Sequence, residues 1–98
     1  MTYQFIKDGQ QLTVKVEGRL DTKTTPDFEK AVSTELDGIT ELTIDFSDLE
    51  SIASSGLRLL LTLQKRMNKQ GSMVITGSGE SIMDVFEVTG FVDILTLS

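Results

Sequence analysis

Residues 42–57 read LTIDFSDLESIASSGL, and this stretch carries most of the information about the fold. Apolar and polar residues alternate from Leu42 to Phe46, which is the period of a half-buried strand. A polar connection over residues 47–55 follows, and from Gly56 to Gln70 the pattern is strongly helical. A strand, a loop and a helix in this order predict one unit of a small α/β domain.

The chain before this stretch predicts a β-hairpin. Asp8-Gly9 lies between two strand-like runs at residues 3–7 and 10–17, and the dipeptide suits a two-residue type I′ turn. In that register Phe5 faces Leu12, and the apolar residues of both strands share one face. The residues on the other face are polar, which predicts that this side of the sheet meets water.

Two further helices and one more strand complete the pattern. Thr25-Pro26-Asp27 predicts a helix start in which the threonine is the cap and the proline lies in the first turn. Residues 73–76 predict a short strand and residues 82–90 another helix, whereas residues 91–97 fit either a final strand or a helical tail. Right-handed crossovers would place the helices mainly on one face. We therefore expect an α/β fold with a mixed sheet of four to five strands, ordered 1-2-3-4, whose first strand is antiparallel.

The composition predicts a single domain over residues 1–98. Of its 98 residues, 39% are hydrophobic and 24% are charged, which is usual for a folded globular domain. The chain has no cysteine and no histidine, which excludes disulfides, thiolate nucleophiles, histidine-based triads and zinc sites built from these residues. We find no catalytic residue set, cofactor motif or metal-ligand pattern, and we expect a protein that is not an enzyme.

The charge balance excludes some classes of partner. A net charge of −6 repels phosphate backbones and anionic membranes, so we expect no nucleic acid partner. No apolar run approaches the roughly 20 residues that a membrane helix needs, and the start of the chain lacks the layout of a signal peptide. We therefore expect a cytoplasmic protein without membrane insertion.

The start of the second predicted helix is the best candidate for a functional site. Ser54, Ser55 and Gly56 lie where backbone N–H groups have no partner within a helix, and these groups favour an anion such as phosphate. A purely structural interpretation is also open, in which one serine caps the helix and the glycine allows close packing. The three residues by themselves do not decide between a phosphoserine site and a cap.

A wider set of residues resembles the STAS family, and specifically the bacterial anti-sigma factor antagonists. The resemblance covers nearly the whole chain, with its elements in the order of that family. It rests on Gly18-Arg19-Leu20-Asp21, Ile44-Asp45-Phe46, Ile52-Ala53-Ser54-Ser55-Gly56-Leu57, Gly71, Val85-Phe86 and Gly90.

The resemblance implies a function as a partner switch. An antagonist of this kind binds, in its unphosphorylated form, an anti-sigma factor that is also a serine kinase with a histidine-kinase-like ATP fold, and so frees the sigma factor. Phosphorylation of the serine before the motif glycine, here Ser55, would reverse the binding, and a serine phosphatase is a further possible partner. The implied partner-binding residues are Asp21, Ser54, Ser55, Gly56, Leu57 and Arg58. For Asp21, a role as a turn or capping acid is equally open.

One departure from the family pattern keeps a second function open. Ala53 stands where antagonists commonly have an aspartate two residues before the phosphorylated serine. The alternative is a STAS adaptor that does not switch, similar to the small STAS subunit of bacterial lipid-transport ABC systems. In that case Ser55 and its helix would form a constant docking surface.

Overall fold

A four-stranded sheet organises the chain, and the computed structural model describes all residues from 1 to 98. The strands lie in the order β1-β2-β3-β4; β1 is antiparallel to β2, whereas β2, β3 and β4 are parallel. This confirms the predicted order and the antiparallel first strand. The strands are β1 Thr2–Asp8, β2 Gln11–Leu20, β3 Glu41–Ile52 and β4 Ser72–Thr76; the helices are α1 Thr25–Glu35, α2 Ser54–Gln70 and α3 Glu80–Thr89.

The core lies on one face of the sheet, as the alternation of apolar residues predicts. Three successive inward residues of β2, and three of β3, are almost completely buried, and helix residues such as Phe28 and Phe86 cover them. The opposite face carries exposed residues such as Lys15 and Glu17. The inward strand residues are Leu12, Val14 and Val16 on β2 and Leu42, Ile44 and Phe46 on β3.

The hairpin forms, but the predicted register is wrong: each residue of β1 pairs two positions further along β2 than predicted. Asp8 pairs with Gln11 and Phe5 pairs with Val14, so the two turn residues are Gly9 and Gln10. Only Gly9 has a positive φ, 60°, whereas a type I′ turn needs positive φ at both central residues. Because the slip moves the pairing by two positions, the apolar residues keep the same face.

The prediction that residues 47–55 form a polar connection is wrong, because β3 continues to Ile52. Two register shifts interrupt its pairing with β2. Between the pairs Lys15–Asp45 and Leu20–Ile52, β2 advances by five residues and β3 by seven, so β3 contains two extra residues. Each β-bulge adds a residue to one strand and breaks the alternation of its side chains. The alternation therefore ends in the sequence before the strand ends in the structure.

The last residues combine the two forms that the sequence left open. A short 3-10 turn covers Phe91–Asp93, and Leu97 then makes a parallel bridge to Ile75 of β4. The four-stranded sheet thus gains one paired residue of a fifth strand. No helix in the structure has both the length and the apolar character that crossing a membrane requires.

Candidate functional site at the start of helix α2

The loops that follow β2 and β3 meet at one end of the sheet. These strands are parallel neighbours, and their last residues, Leu20 and Ile52, pair with each other. The backbone N–H of Ala53 donates to the carbonyl of Leu20 at 2.9 Å, which holds the β3–α2 junction against the end of β2. This geometry brings the Asp21 loop next to the start of α2, as a site at the carboxyl ends of parallel strands requires.

Helix α2 begins at Ser54, two residues before the predicted start. Ala53 occupies the N-cap position in extended conformation, and no side chain caps the helix. Its carbonyl accepts the first helical hydrogen bond, from Leu57 N–H at 3.0 Å. The interpretation of Ser54 or Ser55 as the cap is therefore wrong, and the first N–H groups of the helix are left without a side-chain acceptor.

Gly56 allows the helix to start close to the sheet. A Cβ atom at this position would lie 2.7 Å from Ile52 Cγ1 and 2.9 Å from Leu20 Cγ, closer than side chains pack. Gly56 and Leu57 are buried between the start of the helix and the sheet, so they fix the position of the exposed residues beside them. Ser54 and Arg58 are exposed and Ser55 is half-buried.

The side chain of Ser55 faces helix α1. Its Oγ lies 3.5 Å from Oγ1 of Thr25, a contact between residues that are 30 positions apart in the chain. Thr25 is the first residue of α1 rather than its cap, and it is only 6% exposed. Sequence reasoning missed this contact, since nothing local indicates which residue of α1 would meet α2.

A shallow pocket of about 240 Å³ lies between the first turns of α1 and α2. None of the three ion pairs in the structure involves Arg58, so its guanidinium has no carboxylate partner beside Ser55. An unpaired arginine one helical turn from the serine suits a phosphate group in this pocket. Among its lining residues are Thr25, Pro26 and Glu29 of α1 and Ser55, Arg58 and Thr62 of α2.

The carboxylate of Asp21 stabilises its own loop through hydrogen bonds. One carboxylate oxygen accepts from Lys23 N–H at 2.9 Å and from Thr24 N–H at 3.1 Å, and the Thr24 hydroxyl oxygen lies 3.2 Å from it. The Thr24 backbone hydrogen bond is the largest cause that lowers the pKa of Asp21; the Lys23 N–H lowers it too, and partial desolvation opposes both. The turn-stabilising role is thus confirmed, and it gives the loop a defined shape beside Ser55.

Asp21→Asn gives a test of this role by its pH dependence. Because the folded pKa is lowered, the ionised carboxylate stabilises the fold above its ordinary pKa, and this stabilisation is lost as the pH falls through the lower, folded value. We expect the variant to unfold at a lower urea concentration than the wild type at pH 7, with the gap narrowing below about pH 4. The role would be contradicted if the difference in urea midpoint between the two proteins stayed constant down to about pH 2.5, which is below the ordinary pKa of an aspartate.

Comparisons with known proteins agree with this geometry. The family model described as "Mlab, STAS domain" matches residues 3–96. The anti-sigma-B factor antagonist of Staphylococcus aureus is 30% identical over 84 residues, which cover 84% of this chain and 78% of that protein. This chain belongs to the STAS family of anti-sigma factor antagonists.

Solved structures of antagonists share the fold. A crystal structure of an anti-sigma factor antagonist from Mycobacterium paratuberculosis is 25% identical, with a TM-score of 0.88 over 98% of this chain and 83% of that one. SpoIIAA is 18% identical and matches 99% of this chain in both of its forms, with a TM-score of 0.85 when unphosphorylated and 0.77 when phosphorylated. These matches cover 88% and 91% of the SpoIIAA chains. The relatives are regulatory proteins, and the STAS fold predicted from the sequence is confirmed.

Proposed function

We propose that this STAS domain is a phosphorylation-controlled antagonist of an anti-sigma factor in the cytoplasm. The unmodified domain binds an anti-sigma factor that is also a serine kinase with a histidine-kinase-like ATP fold, and the sigma factor is released. Phosphorylation of Ser55 ends the complex, and a serine phosphatase restores the unmodified form. The observation that carries the proposal is the half-buried Ser55 hydroxyl at an uncapped helix start, beside an arginine without an ion pair.

The site is suited to both states of Ser55. A phosphate would add about −1.5 to −2 charges and three acceptor oxygens. The N-terminal N–H groups of α2 and the guanidinium of Arg58 would stabilise it with little rearrangement. A partner that covers this surface would instead have to bury the new charge, and the affinity would fall.

The proposed contact surface has an exposed part and a supporting part. Ser55 and Arg58 line the pocket, and Asp21 and Ser54 precede lining residues in the chain; all four are exposed or half-buried. The buried pair Gly56 and Leu57 sets the position of the helix beneath them. We therefore assign direct contacts to the first group and positioning to the second.

Phosphorylation of Ser55 is tested by labelling. Wild type, Ser55→Ala and Ser81→Ala serve as baits in extract of the native cells; the captured kinase is purified and incubated with each bait and radiolabelled ATP. Ser81 is a matched control, because it is the second residue of α3 as Ser55 is of α2. We expect labelling of the wild type and Ser81→Ala at Ser55, mapped by mass spectrometry, and none of Ser55→Ala.

The non-switching adaptor is the second candidate. It is favoured by Ala53, which provides no carboxylate beside the serine, and by the hydroxyl of Ser55, which faces Thr25. In that case an ATPase subunit of a transporter would be captured equally by the wild type, Ser55→Ala and Ser55→Asp, and no label would reach Ser55. Such a result would reject the switch.

A further inference from the structure

The hydroxyl of Thr25 lies between the Asp21 loop and the Ser55 hydroxyl. It donates to the backbone carbonyl oxygen of Asp21 at 2.6 Å, and its oxygen is 3.5 Å from Ser55 Oγ. Thr25 is 6% exposed, so it has little water to replace these partners. One buried hydroxyl therefore connects two parts of the proposed contact surface.

Counting protons assigns a direction to this contact. A threonine hydroxyl has one proton, and the short bond to Asp21 uses it. In the longer, 3.5 Å contact, the Thr25 oxygen can then only accept, so any proton shared between the two oxygens comes from Ser55. The contact depends on the proton that Ser55 loses when it is phosphorylated.

We propose that Thr25 couples the phosphorylation state of Ser55 to the Asp21 loop. Phosphoryl transfer forms a bond between Ser55 Oγ and the γ-phosphorus of ATP, breaks the bond from that phosphorus to ADP, and passes the serine proton to a base on the kinase or to water. The side chain of dianionic phosphoserine then has acceptors only. The Thr25 hydroxyl turns to donate to the phosphate, which is the stronger acceptor, and leaves the carbonyl of Asp21.

The Asp21 loop consequently loosens in the phosphorylated state. The carbonyl of Asp21 keeps the Thr25 backbone N–H at 3.0 Å but loses its shortest hydrogen bond. Thr25 thus acts as a positioning residue, which changes the shape of the Asp21 side of the surface through its hydrogen bonds. This inference rests on the proposed phosphorylation of Ser55.

The test compares serine with genetically encoded phosphoserine at position 55, in the whole chain and without any partner protein. Amide hydrogen exchange at residues 23–25 and the carbonyl ¹³C signal of Asp21 are measured by NMR. In the wild type, we expect phosphoserine to speed exchange of the Thr25 amide about fivefold, the effect of one lost hydrogen bond, and to move the carbonyl signal. Thr25→Val should abolish both responses, and Thr25→Ser should restore them.

Thr34→Val is the matched control. Thr34 lies on α1 and donates to the carbonyl of Lys30 at 2.9 Å, the same bond to the fourth preceding residue that Thr25 makes, but it has no contact with Ser55. This variant should respond to phosphoserine as the wild type does. An unchanged Asp21 signal in phosphorylated wild type, or a full response in Thr25→Val, would overturn the coupling. Because no partner is present, this failure is separate from a failure of partner binding.

Discussion

Ser55→Asp weakens binding of the purified anti-sigma partner by about a hundredfold or more, whereas Ser55→Ala stays within about threefold of the wild type. The reason is electrostatic. Ser55 is half-buried at the pocket between α1 and α2, so a partner that covers it must bury a carboxylate. Taking a carboxylate out of water costs several kcal/mol even beside a cation such as Arg58, whereas removing one hydroxyl group costs far less. Isothermal titration calorimetry with the three proteins measures the difference.

Ser81→Asp is the control for added charge. It introduces the same carboxylate at the second position of α3, where Ser81 is exposed, and it changes the net charge as much as Ser55→Asp does. We expect its affinity to stay within about threefold of the wild type, because Ser81 lies outside the proposed contact surface and salt screens exposed charges. Equal affinities of Ser55→Asp and Ser55→Ala would contradict the proposed switch. If Ser81→Asp lost as much affinity as Ser55→Asp, the loss would be an effect of net charge and not of position 55.

Gly71→Ala has the largest expected effect on folding, a loss of about 3 kcal/mol in the free energy of unfolding. Gly71 ends α2, and its N–H donates to the carbonyl of Met67 at 2.6 Å. A Cβ atom there would overlap the carbonyl oxygen of Thr40 and lie 2.6 Å from its carbonyl carbon. These are backbone atoms, and the Thr40 carbonyl is also the acceptor for Ser72 N–H at 2.9 Å, so neither side can move without breaking the start of β4.

Gly79→Ala is the matched substitution. Gly79 also joins two elements, but it has φ of −71°, and no atom lies within 4 Å of the position that a Cβ would take. We expect it to cost under about 1 kcal/mol, the usual effect of alanine at an N-cap position. Urea unfolding followed by circular dichroism gives both values, with unchanged slopes in urea. If Gly71→Ala costs no more than Gly79→Ala, the close approach to Thr40 is not what requires glycine.

Much of the fold follows from local pattern in the sequence. The apolar alternation of Leu42, Ile44 and Phe46 predicted the buried face of β3, and the same three side chains are in the core. Gly90 was expected to end the last helix, and it does so with φ of 80°. These features depend on residues within one turn or one strand, which is why single-sequence reasoning reaches them.

The errors occur where distant residues decide. The hairpin register moved by one pair because Gly9, and not Asp8, takes the first position of the turn; both registers keep the apolar residues on the same face, so the apolar pattern did not separate them. The end of β3 was missed because its two bulges exist only in the pairing with β2. The cap predicted at Thr25 became a buried hydroxyl between the Asp21 loop and the first turn of α2.

The sequence by itself determined the order of the elements, the single covered face of the sheet and the position of Ser55 near a helix start, because each is encoded in the spacing of nearby residues. Only the tertiary structure decided that Ser55 meets Thr25, that Arg58 lacks an ion pair and that Gly71 lies against Thr40. The residues of the first of these contacts are 30 positions apart and those of the last are 31 apart. These contacts exist only after the helices pack on the sheet, since packing sets distances that spacing along the chain does not contain.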